Sequence, residues 1–271
     1  MNDDVTVVIA CFNYGAYVGE AVASALEQAG GPPRVLVVDD GSTDPATHAA
    51  LDALPAVVEV LRQQNRGVCA ARNAGLERVR TPYALLLDAD DRLAPAALEA
   101  MRMPLEREPS LGFAYGTVRF FGAWEGEMRM PPYDPFKLLY RHTIGLTALL
   151  RTQLARDTGG FDEAFDCYED WELWLNALAH GWHGRQVDAV TLEYRRHDAG
   201  SKHAQDRAAY RATFRRLRTK HAQLYARDGQ LARAAGDGAL TRALYRRFWG
   251  PRPVPAALEA ALHGLLWRTR G

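Results

Sequence analysis

Three aspartates crowd the end of an apolar run in "LLLDADDRL", residues 85–93: Asp88, Asp90 and Asp91. Carboxylates this close repel one another at neutral pH unless a cation offsets their charge. Asp88 and Asp90, with only Ala89 between them, can present oxygens to one hard cation. Mn²⁺ and Mg²⁺ suit such a pair, because they accept few protein carboxylates and complete their shell with water and phosphate oxygens. Asp91 either adds a ligand or caps the helix that Pro95 helps to open. The competing reading of any such triplet is an ordinary loop, and position has to decide.

Position comes from the strands. "VTVVIA" (5–10), "RVLVVD" (34–39), "VVEVLR" (57–62) and "YALLLD" (83–88) are almost continuously apolar, as strands buried on both faces are. Helical stretches are expected between them, near 16–29, 45–54, 68–79 and 95–107. This alternation predicts an α/β fold, a mainly parallel sheet flanked by helices. Ligands of such sheets bind beyond the carboxyl ends of the strands, and every polar cluster falls there. Phe12-Asn13 follows the first strand, Asp39-Asp40-Gly41-Ser42 the second, Gln64-Asn65-Arg66-Gly67 the third, and the acidic triplet the fourth. Phe12 beside Asn13, facing the acids at 39–40, makes a slot for a pyrimidine whose N3–H an Asp would accept; the alternative is Phe12 as core filling. "NRGVCAARNAG" offers helix N-terminal amides and Arg72 to phosphates. Alternatively Arg72 pairs with one of the acidic loops.

Beyond Leu111 the rhythm changes. "LGFAYGTVRFF" predicts a longer strand, "DPFKLLYRH" a short helix, "TALLR" a strand, "EDWELWLNALAHG" a helix ending at Gly181, and "RQVDAVTLEYRRH" one or two strands. From about residue 203 the chain reads as helical, with Tyr210, Phe214, Leu217, His221 and Leu224 on one stripe. Two regions are therefore expected, 1–201 and a basic helical extension over 202–271. Residues 1–194 carry 16 Lys+Arg against 28 Asp+Glu, and residues 195–271 carry 17 against 5. The basic tail suits an anionic surface, such as a membrane, or a set of solvated helix faces. "AALEAALHGLLWRTR" near the C-terminus, with Trp267, is either an interfacial membrane contact or a helix packed on the body. Cys11, Cys69 and Cys167 are odd in number and widely spaced, which argues against a disulfide framework and suits a reducing compartment. The expectation is a cytoplasmic protein that touches the inner face of the membrane, if at all, through its C-terminal helices.

"VVIACFNYGAYVGEAVASAL", "VLVVDDGSTD", "NRGVCAARNAGL", "LLLDADD", "GGFDEAFDCYEDWELWL" and "EYRRHDAGS" occur in this order. The chain thereby resembles the inverting family-2 glycosyltransferases of the GT-A fold, over about residues 5–201. The resemblance implies a nucleotide-sugar donor, UDP-linked by preference, a divalent Mn²⁺ or Mg²⁺, and direct displacement at the anomeric carbon. It implies base stacking on Phe12 and uracil reading by Asp40, with Asp39 beside it. Asn13, Arg72, Asn73, Asp88 and Ala89 join them on the donor side. Asp88 and Asp90 resemble the metal-holding pair, Asp91 a further ligand, and His197 a histidine that completes the metal shell or touches the diphosphate. Asp170 resembles the catalytic base, the alternative being a helix N-cap with Glu169 exposed; Glu169, Trp171 and Trp174 are candidates for the acceptor side, with at least one of the two tryptophans in the core. The acceptor would be a glycan, a lipid-linked glycan or a small molecule, as in cell-surface polysaccharide synthesis, and no nucleic acid is expected. Asn176 departs from the Arg that relatives commonly carry at that point.

Rival chemistries lack their marks. A nucleotidyltransferase of related fold needs a Gly-rich basic loop after the first strand, where this chain has "CFNYGAY". Neither GxGxxG after a strand nor GxxxxGK occurs. A catalytically inactive sugar-nucleotide-binding or scaffold protein is the remaining alternative.

Overall fold

Val, Ile and Leu fill the four segments that form the parallel half of the sheet. These are β1 (Val5–Cys11), β2 (Arg34–Asp39), β3 (Val58–Arg62) and β4 (Tyr83–Asp88), connected by α1 (Val18–Leu26), α2 (Pro45–Asp52) and α3 (Val68–Arg78). The order β3-β2-β1-β4 is parallel throughout. Val7, Ile9, Val37, Val38, Leu85 and Leu86 are all buried, which accounts for the unbroken apolar character of these strands. Asp44 caps α2, accepting from the amides of Ala46 and Thr47, with Pro45 in the first turn, where its missing N–H costs nothing. This is a computed structural model that describes residues 3–197 and 203–248.

Past β4 the sheet becomes mixed. The elements are β5 (Arg92–Leu93), α4 (Ala97–Arg107), β6 (Leu111–Gly122), β7 (Gly126–Met128), α5 (Pro135–Leu138), β8 (Leu149–Arg151), α6 (Thr152–Thr158), α7 (Glu169–Ala179) and β9 (His183–Arg196). β8 runs antiparallel between β4 and β6, β9 runs parallel to β6, and β5 closes the order antiparallel to β9. The expected parallel sheet therefore holds for its first half, and a mixture of long-range antiparallel and parallel pairings takes over where the βα alternation stops. One long β9 replaces the "one or two strands" expected over 185–197.

The chain divides into two compact units, Met1–Tyr133 with Ile144–Ser201, and Asp134–Thr143 with Lys202–Gly271. In the second, α8 (His203–Lys220), α9 (Ala222–Ala226), α10 (Asp228–Ala234) and α11 (Ala239–Phe248) follow in sequence. Phe214, Leu217, His221 and Leu224 are buried and Arg211, Arg215 and Arg218 exposed, as an amphipathic stripe requires. α5 belongs to this unit, and Tyr140 just after it donates to Asp228 at 2.7 Å. Trp267 and its segment lie outside the described residues. Among the described residues no helix is long and apolar enough to cross a membrane, and all three cysteines are free.

Candidate active site

The loops after β1, β2 and β3 are stitched together by side chains that the sequence suggests for ligand contact. Asn13 has a left-handed φ of 58°, a conformation Asn tolerates better than most residues. Its Oδ1 accepts from the amides of Thr43 at 2.8 Å and Asp44 at 3.0 Å, and its own amide donates to Ser42 Oγ at 3.0 Å. Asn13 is thus a clamp between loops. Phe12, on the outside of this clamp, is 41% exposed and free of the core-filling role. Asp40 is buried and accepts from Gln63 Nε2 at 2.7 Å, Arg66 N at 3.0 Å and Gly67 N at 2.8 Å. Those three donors reach both of its oxygens, so Asp40 holds the loop before α3. Asp39 is buried too, accepting from Ser42 N at 2.9 Å and meeting Arg62 at 3.9 Å.

At the end of β4 the three acids take three different partners. Asp88 Oδ1 accepts from Arg72 Nη2 at 2.8 Å, Asp90 Oδ2 meets His197 Nε2 at 2.8 Å, and Asp91 Oδ1 accepts the backbone N–H of Arg195 at 2.8 Å. Asp91 is only 3% exposed. It therefore ties the β4–β5 turn to β9. Burial, then the charges of Asp88 and Asp90, hold the Asp91 carboxyl well above the usual carboxylate range. Burial also raises Asp90, against the lowering hydrogen bond from His197. Tyr194 is pushed up to about 12 by burial and then by the same three acids. A concentrated negative field thus stands at this rim. Among the described residues no three His, Cys, Asp or Glu side chains form a ready metal cage. Mg²⁺ and Mn²⁺ need no such cage, since one or two carboxylates with phosphate oxygens suffice. Asp88 and Asp90, with His197 beside them, fit that chemistry.

Arg72 joins this rim to α7. Its side chain is buried, with Nη2 on Asp88 and Nη1 on Glu169 at 2.8 Å, and the two acids keep it charged against the desolvation that would lower its pKa. The sequence left open a phosphate contact or an ion pair, and the structure places the ion pair. Asp170 follows Glu169 directly, half-buried in the first turn of α7, and its Oδ1 accepts from Trp171 N at 2.8 Å. A helix N-terminus favours the ionised carboxylate. One guanidinium therefore links Asp88 to Glu169, the residue before the base candidate.

Three other expected contacts turn inward. Asn73 brackets the backbone of Phe161, accepting from its N at 2.8 Å and donating to its O at 2.9 Å, and so holds the Gly-rich loop. Trp171 and Trp174 are 0% exposed, and Trp174 stacks on Phe113 at 4.3 Å. Neither ring has a face for an acceptor, because the side of α7 that carries them is core. Glu169 is likewise buried, in the ion pair with Arg72. Ala89 is buried within the turn. Asn176 donates to Thr158 O at 3.0 Å, a structural pairing. A cleft of about 610 Å³ lined by Arg66, Asn73, Arg156, Phe161 and Glu163 includes neither Asp88 nor Asp170.

Arg195 is the residue that motif reading missed. Besides its amide on Asp91, its Nε donates to Asp90 O at 2.8 Å and its Nη2 to Glu20 at 2.7 Å. Its guanidinium lies 4.7 Å from the Tyr17 ring centre and 4.4 Å from that of Phe121. The only signal was its place beside His197 in "EYRRH".

The model of the family described as "Glycosyl transferase family 2" matches residues 6–161. Across 94% of its length the chain is 31% identical to the succinoglycan biosynthesis protein ExoO of Rhizobium meliloti, of which it covers 76%. It is 28% identical to the chondroitin synthase of Escherichia coli over 63% of this chain and 26% of that one. The crystal structure of S. aureus TarS 1–349 in complex with UDP-GlcNAc superposes with a TM-score of 0.66 at 17% identity, covering 84% of this chain and 72% of that chain. That likeness shows the fold, GT-A. The extent of the family match and the ExoO identity together settle the assignment: the chain belongs to glycosyl transferase family 2 and is a glycosyltransferase.

Proposed function

We propose that this glycosyltransferase moves a sugar from a UDP-sugar to an acceptor hydroxyl, with a divalent cation and inversion at the anomeric carbon, during assembly of a cell-surface polysaccharide. The observation that carries the reading is the Arg72 bridge, which links the acid of β4 to the turn that bears Asp170. Relatives named for succinoglycan, chondroitin and teichoic acid synthesis support the polysaccharide setting. The UDP-GlcNAc complex of TarS supports a UDP-linked donor. A cytoplasmic site of action is part of the proposal.

In this reading the exposed ring of Phe12 stacks on the base. Asp88 and Asp90 hold the diphosphate end of the donor; the cation they would bind offsets negative charge on the departing UDP. Asp170 accepts the proton of the acceptor hydroxyl as its oxygen bonds to the anomeric carbon. The bond from that carbon to the diphosphate breaks, and its electron pair leaves with UDP. A single displacement needs one base and no carboxylate nucleophile.

Calorimetry with UDP and Mn²⁺, paired with UDP release from a panel of UDP-sugars, tests this. Asp170→Asn is expected to keep UDP affinity and to lose about 10²- to 10⁴-fold in turnover. Native turnover in that variant sinks the base assignment. Absence of UDP binding at any Mn²⁺ or Mg²⁺ concentration sinks the donor reading.

A further inference from the structure

The β6–β7 hairpin carries a large aromatic in the open. Trp124 is 56% exposed, although it sits in a fixed position. Its ring packs 4.9 Å from Phe120 at 48°, and its edge lies over Gly126, where an added Cβ would come within 2.9 Å of the indole. The hairpin is fastened to the end of β9, because Ala123 N donates to Arg196 O at 2.9 Å. Phe120 meets Tyr194 edge-on at 5.9 Å, and Tyr194 is the tyrosine raised first by burial and then by the charges of Asp91, Asp88 and Asp90. One residue past Arg196, His197 holds Asp90. The aromatic tip and the acidic rim are therefore neighbours on the same strand end.

We propose that Trp124, backed by Phe120, is a platform on which a pyranose ring of the acceptor glycan stacks. The proposal rests on the glycosyltransferase site described above and names where its acceptor lies. A sugar presents a face of C–H groups, which suits an indole face, and an edge of hydroxyls, which suits the exposed Glu125 and Glu127 beside it. A lipid surface is the poorer occupant. Interfacial segments join Trp to several unpaired Lys and Arg, whereas here Arg119 is paired with Glu127 at 3.0 Å, Arg129 with Asp188 at 3.2 Å, and Arg196 lies over the Phe120 ring at 5.8 Å. Glu125 and the acidic triplet add negative charge, which anionic lipid repels.

The test uses the full chain labelled with 5-fluorotryptophan, each resonance assigned by single Trp→Phe variants. Methyl β-glycosides of glucose, galactose, mannose and N-acetylglucosamine are titrated in turn. At least one is expected to shift the Trp124 signal saturably and to leave those of the buried Trp171 and Trp174 in place. Trp124→Ala, on the surface, and Gly126→Ala, which crowds the indole from its seat, are each expected to weaken that saccharide by about tenfold in calorimetric titration, with UDP affinity unchanged. No saturable shift with any glycoside overturns the platform, as does unchanged saccharide affinity in Trp124→Ala. A Trp124 shift produced only by vesicles containing anionic phospholipid also overturns it, in favour of a membrane contact. The saccharide titration needs no donor, so a failure of UDP to bind sinks the donor reading and leaves this result standing.

Discussion

Arg72 and Glu169, 97 positions apart in sequence, meet at 2.8 Å in a buried ion pair, and the other arm of the same guanidinium holds Asp88 at 2.8 Å. Arginine suits this place because its planar fork reaches two carboxylates at once. The bridge makes the first turn of α7 and the end of β4 one structural unit, although they derive from different motifs.

Removing the fork strands two acids. Arg72→Met is expected to lower stability by about 3–5 kcal/mol, the cost of breaking a buried pair from one side. Arg72→Lys restores charge but not span and falls between. Urea denaturation followed by tryptophan fluorescence measures both. A loss below about 1 kcal/mol in the methionine variant means that water replaces the guanidinium freely.

Gly41 offers a second handle. It has a φ of +71°, and a Cβ there would lie 2.6 Å from the backbone N of Asn65. Alanine must bear a left-handed backbone and push away the segment whose neighbours donate to Asp40. The expected loss is about 2–4 kcal/mol, the sum of the strain and overpacking costs, with UDP affinity falling in parallel. Full UDP affinity in a destabilised Gly41→Ala protein separates this loop from the donor.

Acid should loosen the helical unit through Asp228. Burial raises its carboxyl, but hydrogen bonds from Arg246 and Tyr140 outweigh that and leave it below its ordinary value. A lowered folded value means that the contribution is complete above the unfolded value near 3.8 and is lost as pH falls through the folded one. Asp228→Asn is therefore expected to cost about 1–3 kcal/mol at pH 7, and the gap to wild type should close in strong acid. Parallel urea titrations across that range measure it, and a gap independent of pH refutes the linkage.

The parallel half of the fold was legible because buried strands must be apolar and their ends must be polar. β5 and β7 were not, since strands of two and three residues exist only through their partners. α6 was hidden because it follows β8 without a loop. For the site, the sequence located the clusters but not their bonds. Phe12 is open as expected, whereas Asn13, Asp40 and Asn73 spend their polar groups on backbone amides of other loops. Those amides lie 30, 26 and 88 positions away, for example in Thr43, Arg66 and Phe161, and no local pattern encodes such pairings. The two tryptophans of α7 follow from the same limit: helical spacing shows that they share a side, not which side is buried.

The helical unit is discontinuous, and that carries a practical meaning. Phe136, Leu138, Leu139 and Tyr140 are buried, and their cover includes Tyr225, whose hydroxyl reaches Leu139 O at 2.6 Å, and Tyr245, 5.7 Å from Phe136. On the ribosome these four side chains emerge long before their cover does and wait bare until the last quarter of the chain is made. Cutting the gene after residue 201 to obtain a minimal enzyme would leave them bare permanently, an invitation to aggregation that joining 133 to 144 through a short polar linker should remove.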